Sequence, residues 1–205
     1  MADRSKILLV GLAAAAAMLV IALAALMLTV TADGGGEWDR PVVTPEDYAA
    51  ASGPRPQVTA ADLAALIDSD DPYVIEIAEH MSSPKELLRW IKAHIASGKD
   101  IDMYGVSEHW ALPAETLFHR RADCEDSAIL IASILTAMGY SPELLIIAAE
   151  PIGHVAVTLD GTYIDQFAVH SQPPIDANAV KSILGVSIQN GEIIQKNIEK
   201  KEIFI

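Results

Sequence analysis

At 205 residues the chain has room for one domain of ordinary size plus an additional segment. Its formal net charge of −14 argues against nucleic acid, whose phosphates call for a basic patch. A single cysteine excludes any disulfide within the chain.

Residues 1–6 carry Arg4 and Lys6, and Ile7 to Val30 follows as a run without charge, proline or amide. As a helix, those 24 residues would be roughly 36 Å long, enough to cross a bilayer core of roughly 30 Å. The basic flank favours the cytoplasmic side, so the expectation is a single-pass cell-membrane anchor over 7–30 with the remainder outside the cytoplasm. A cleaved signal peptide is the alternative, for which Val30-Thr31-Ala32 resembles a cleavage site, but its apolar region would be much shorter. Residues 31–205 then hold 12 Lys and Arg against 27 Asp and Glu, a net charge of −15.

Residues 31–57 read as a linker. Asp33 is followed by three glycines, and Pro41, Pro45, Pro54 and Pro56 discourage regular structure. The domain is expected over 58–205. Thr59 to Asp62 looks like a helix start, Asp71-Pro72 opens a short helix, and Ser83-Pro84-Lys85-Glu86 is a capping box for a third. That third helix buries Leu87, Leu88, Ile91 and Ile95, with Gly98 placed to end it. Lys99 to Val106 reads as a polar connection, and Pro113 opens another short helix after Trp110.

Asp123 is a good N-cap for a helix that begins at Cys124 and is apolar on nearly all sides as far as Gly139. After Pro142 the apolar period drops from 3.6 to 2. Strands are expected at 144–148, 154–159 and 162–166, the last two joined by an Asp160-Gly161 turn. Residues 176–184 read as helical, Asn190-Gly191 as a hairpin turn and 201–205 as a final strand. Helices followed by an antiparallel sheet make an α+β domain.

The chemistry centres on Cys124. A thiol at a helix N-terminus meets the positive end of the dipole and free backbone N–H groups, which favour thiolate and can hold an oxyanion. Asp123, Glu125 and Asp126 oppose this with negative charge. If 159 pairs with 162 across the turn, His154 and Asp165 share one face and lie diagonally across the ladder. His154 is then the candidate base and Asp165 the group that orients its ring, an arrangement suited to acyl transfer through a thioester.

The residues Trp110, Pro113, Glu115-Thr116-Leu117, Asp123-Cys124-Glu125-Asp126, Gly153-His154 and Ile164-Asp165 occur in that order. Together they resemble the core of the transglutaminase-like cysteine protease superfamily, which has a papain-like α+β fold. The motif is most similar to that of the bacterial periplasmic members that cut surface adhesins. Ala122 departs from the usual glycine, and Val155 and Ala156 stand where many members carry an aromatic. The resemblance implies a peptide or isopeptide hydrolase with Cys124, His154 and Asp165 as catalytic residues and Trp110 at the oxyanion or substrate groove. It further implies protein or peptide substrates at the cell surface, no required organic cofactor, and Asp123 and Glu125 as Ca²⁺ ligands. A non-catalytic peptide- or polymer-binding module and a cross-linking transglutaminase remain alternatives, because hydrolysis and transfer differ only in which acceptor reaches the thioester.

Overall fold

A computed structural model describes residues 40–56, 58–165, 169–170, 173, 175–189 and 192–204. The expected span at 7–30 lies outside them. Among the described residues no helix is long and apolar enough to cross a membrane.

The helices come first. Pro45–Ala51 (α1), Ala60–Leu66 (α2), Pro72–His80 (α3) and Pro84–His94 (α4) are capped by Thr44, Thr59, Asp71 and Ser83, and three of them carry proline in their first turn. α1 lies in the stretch read as linker: Thr44 accepts from the Asp47 N–H, and Pro45 occupies the one helical position where proline is favoured. The strand Ala96–Ser97 (β1) and the short helix Asp100–Met103 (α5) occupy what looked like the end of a helix and a connection. Gly98 therefore does not end α4. It is a point of close approach, where an added Cβ would come within 3.0 Å of the Arg121 Cβ.

Pro113–His119 (α6) leads through Arg121–Ala122 (β2) into Cys124–Ala137 (α7). β2 runs parallel to β1, and the Gly98 N–H donates to Ala122 O at 2.8 Å. α7 is the central element. Ile129, Leu130, Ile131, Ile134 and Leu135 are completely buried, each contributing about 1.5–3 kcal/mol of transfer free energy. α3, α4 and α6 pack on this helix, as do the first two strands of the sheet.

Those strands are Glu143–Ala149 (β3) and His154–Leu159 (β4), followed by Thr162–Ile164 (β5), Val169–His170 (β6), Val180–Gln189 (β7) and Glu192–Asn197 (β8). They form an antiparallel sheet in the order β6-β5-β4-β3-β7-β8. Leu159 pairs with Thr162 as expected, and Asp160 and Gly161 both have positive φ, the requirement of a tight primed turn. Leu145, Ile147, Ala156, Tyr163, Val180 and Ile183 cluster with Ile203 of a last short helix, Lys200–Ile203 (α8). Two expectations for the tail are corrected. Residues 180–184 are strand because β7 pairs with β3 along its length, and 200–203 are helical because Glu199 and Glu202 close a capping box.

The architecture is α+β with an antiparallel sheet, consistent with a transglutaminase-like core.

Candidate active site

Cys124 is the first residue of α7 and is half-buried. Its sulfur lies 3.0 Å from Glu125 Oε2, to which the thiol donates. Burial pushes the thiol well above its ordinary pKa, and the Glu125 carboxylate adds to the push. The backbone N–H of Val155 approaches the sulfur and acts the other way. That contact brings the start of β4, where His154 sits, beside the N-terminus of α7.

The Nε2 of His154 is buried and has no hydrogen-bond partner among the described residues. Burial holds this imidazole below its usual pKa, Asp165 pulls it up, and His170 pushes it down. Both directions favour the neutral thiol and imidazole over the ion pair that the helix dipole alone would favour.

Asp165 is buried, just past β5, and His170 Nε2 donates to its Oδ2 at 3.1 Å. His170 thus bonds to the carboxylate whose charge also acts on His154. Sequence reasoning did not mark His170, because it meets Asp165 only through the pairing of β6 with β5. The five-residue spacing of Asp165 and His170, the span of a tight strand return, was the available signal.

Trp110 lies in the segment that enters α6, and this segment is tied down at every step. The Trp110 N–H donates to Arg55 O, and its carbonyl accepts from Arg55 Nε at 2.7 Å. Any contribution of Trp110 to an oxyanion site therefore comes from the indole, because the backbone N–H is already engaged. The Ala111 N–H donates to Asp126 Oδ1 at 2.8 Å, anchoring the segment to α7. Burial pushes the Asp126 carboxyl up to about 9. Beneath, the buried Glu115 carboxylate accepts from Arg55 Nη2, from the Leu112 N–H at 2.8 Å and from His109 Nε2 at 3.2 Å.

Asp123 holds the N-cap position of α7 as expected, and the Asp126 N–H acts to lower its carboxyl. Ligand atoms of Asp123, Glu125 and Asp100 lie within 4.8 Å of one another. Among the described residues Asp100 Oδ1 and Asp123 Oδ1 are buried without a hydrogen-bond partner and the two carboxyls face each other, a costly arrangement that a shared proton or a cation would relieve. Burial raises the carboxyls of Asp100, to about 6, and of Asp123, with added repulsion from neighbouring carboxylates. Hard oxygen donors at this spacing suit Ca²⁺, so the residues present fit the ion. Asp100 was missed because only the β1–β2 pairing brings it to Asp123; no local pattern marks it.

Residues 66–159 match the family model described as bacterial transglutaminase-like cysteine proteinase (BTLCP). The resemblance read from the motif is borne out. The transglutaminase-like match covers Cys124 and His154 and stops short of Asp165. It points to a cysteine peptidase, a thiol hydrolase. The chain is also 30% identical over 141 residues to a UPF0252 protein of Archaeoglobus fulgidus, an alignment covering 64% of this chain and 42% of that protein. The chain thus spans about two fifths of the length of this relative.

Proposed function

We propose that the domain is a thiol hydrolase that cleaves peptide or isopeptide bonds with Cys124 as nucleophile, His154 as base and then acid, and Asp165 as the orienter of His154. The observation that carries this is the approach of the Val155 N–H to the Cys124 sulfur, which brings the residue that follows His154 in the strand against the thiol. The missing direct hydrogen bond between His154 and the thiol is compatible with the role, because catalytic contacts commonly tighten only once substrate is bound.

In the reaction the Cys124 sulfur attacks the carbonyl carbon while its proton passes to His154 Nε2. The oxyanion is held by backbone N–H groups of the first turn of α7, with the Trp110 indole as a candidate second donor. When the intermediate collapses the C–N bond breaks, His154 gives its proton to the departing amine, and a thioester remains. Water, deprotonated by His154, then releases the carboxylic acid and restores the thiol. An amine taking the place of that water would make the enzyme a cross-linking transferase.

Asp100, Asp123 and Glu125 would hold a Ca²⁺ ion. A bound ion would supply positive charge that offsets the acidic field around the thiol. Segment 7–30 would anchor the domain to the cell membrane and present it outside the cytoplasm, where peptide substrates at the cell surface are the expected partners.

The test is iodoacetamide alkylation of Cys124 at neutral pH with Ca²⁺ and with chelator, in the unmodified chain and in His154→Ala. The expected result is alkylation at least tenfold faster than a free thiol with Ca²⁺ present, lost in the variant. Alkylation at the free-thiol rate in every condition would overturn the catalytic reading.

A further inference from the structure

Asp165 sits between two imidazoles placed alike. Val157 pairs with Ile164 across β4 and β5, so the same register carried on sets Asp165 opposite Ala156 and His154 diagonal to it. On the other side Tyr163 pairs with His170 across β5 and β6, which makes His170 the opposite diagonal. Because side chains alternate along a strand, all three groups fall on one face of the sheet. Diagonal neighbours lie roughly 7–8 Å apart at their Cα atoms, within reach of long side chains. On the β6 side the reach is made: His170 Nε2 stands 3.1 Å from Asp165 Oδ2.

We infer that His170 is a positioning residue for the catalytic site, a point that rests on the proposed roles of His154 and Asp165. A carboxylate can turn about its last torsion, which is broad and poorly restrained for aspartate. The Nε2–H of His170 holds one oxygen and so restrains that torsion, and with it the side of the carboxylate that is turned to the ring of His154. His154 then keeps one nitrogen protonated toward Asp165 and presents the other, Nε2, bare toward the thiol. The His170 ring is about a third exposed and Asp165 is 9% exposed, so the carboxylate has little water to replace this hydrogen bond if it is removed.

The test compares His170→Ala with His170→Gln, since a glutamine amide can donate to Asp165 but cannot be charged. Two readouts are taken on the full chain with Ca²⁺ present: the rate of iodoacetamide alkylation of Cys124, and the ring ¹⁵N chemical shifts of His154, which report its tautomer. His170→Ala is expected to slow alkylation about tenfold and to mix the His154 tautomers, a loss in keeping with one hydrogen bond to a charged group. His170→Gln is expected to restore a single tautomer and most of the rate. A purely structural role would lower the melting midpoint of His170→Ala without changing the tautomer of the folded protein, and that result overturns the inference. Fast alkylation that needs His154 yet is unchanged in both His170 variants also overturns it, while leaving the proposed function standing. If the unmodified chain shows no accelerated alkylation, both fall together.

Discussion

The Cys124 sulfur donates its hydrogen to the carboxylate of the next residue, Glu125, across 3.0 Å. A thiol so placed is restrained, because removing its proton would set two negative charges side by side. Glu125→Gln removes one of them and keeps the shape. In the presence of chelator this variant is expected to alkylate several-fold faster than the unmodified chain between pH 7 and 9, since each unit of lowered thiol pKa gives about tenfold more thiolate. It is also expected to lose its response to Ca²⁺. Rates with iodoacetamide across that pH range check both statements.

The partnerless oxygens of Asp100 and Asp123 predict a thermal response. At a Ca²⁺ concentration about 100 times its dissociation constant, binding adds about 2.7 kcal/mol of stability, which for a domain of this size raises the melting midpoint by roughly 5–10 °C. Asp100→Asn should abolish most of that rise while leaving the fold intact. Differential scanning calorimetry with Ca²⁺, Mg²⁺ and chelator measures it, and an unchanged midpoint with Ca²⁺ would remove the ion from the site.

Stability without metal should fall as pH rises. The carboxyls of Asp100, Asp123 and Asp126 all have raised values in the folded chain, to about 6 for Asp100 and about 9 for Asp126, with burial the leading cause. The unfolded chain gives up these protons near pH 4, so between that pH and the folded values the native state binds more protons and loses stability with each step upward. His109, lowered by burial to about 4, acts oppositely, but only up to the usual histidine value near 6.5. From pH 6.5 to 9 only the carboxyls among these groups still titrate. The melting midpoint in chelator should therefore decline over that window, and saturating Ca²⁺ should flatten the decline.

Arg55 should matter more than its position in a proline-rich segment suggests. It meets Glu115, which is almost fully buried, and grips Trp110 from both sides of the peptide. Arg55→Ala would leave a buried carboxylate short of its cation, at a cost of about 3–5 kcal/mol. Arg55→Lys is expected to recover little, because one ammonium cannot serve Glu115 and the Trp110 carbonyl in the same geometry. Chemical denaturation of both variants, and of a chain beginning at residue 58, should show all three destabilised.

Local signals explain what was legible in the sequence. The proline-opened helices, the apolar α7 and the Asp160-Gly161 turn are each encoded within a few residues, and the motif around Cys124 carried the family. What escaped was long-range. Asp100 reaches Asp123 only through a two-residue parallel ladder, and His170 reaches Asp165 only after a strand return. In the tail, an Ala- and Lys-containing stretch read as helical became strand because β3 offered a full-length partner, a case of tertiary pairing overriding local preference. Thr44-Pro45 carried the signature of a capped helix, but the density of prolines around it suggested otherwise.

The ladder between Ala96–Ser97 and Arg121–Ala122 also has a consequence for engineering. It fixes where the chain leaves each strand, from Ser97 to Asp100 of α5 and from Ala122 to Glu125 of α7, so a single inserted residue in either short run would pull the acidic oxygens out of alignment with the sulfur. The exposed 105–108 stretch between them contributes none of those oxygens. Sequences of different length could be grafted there to meet new substrates while the nucleophile and its acidic neighbours keep their register.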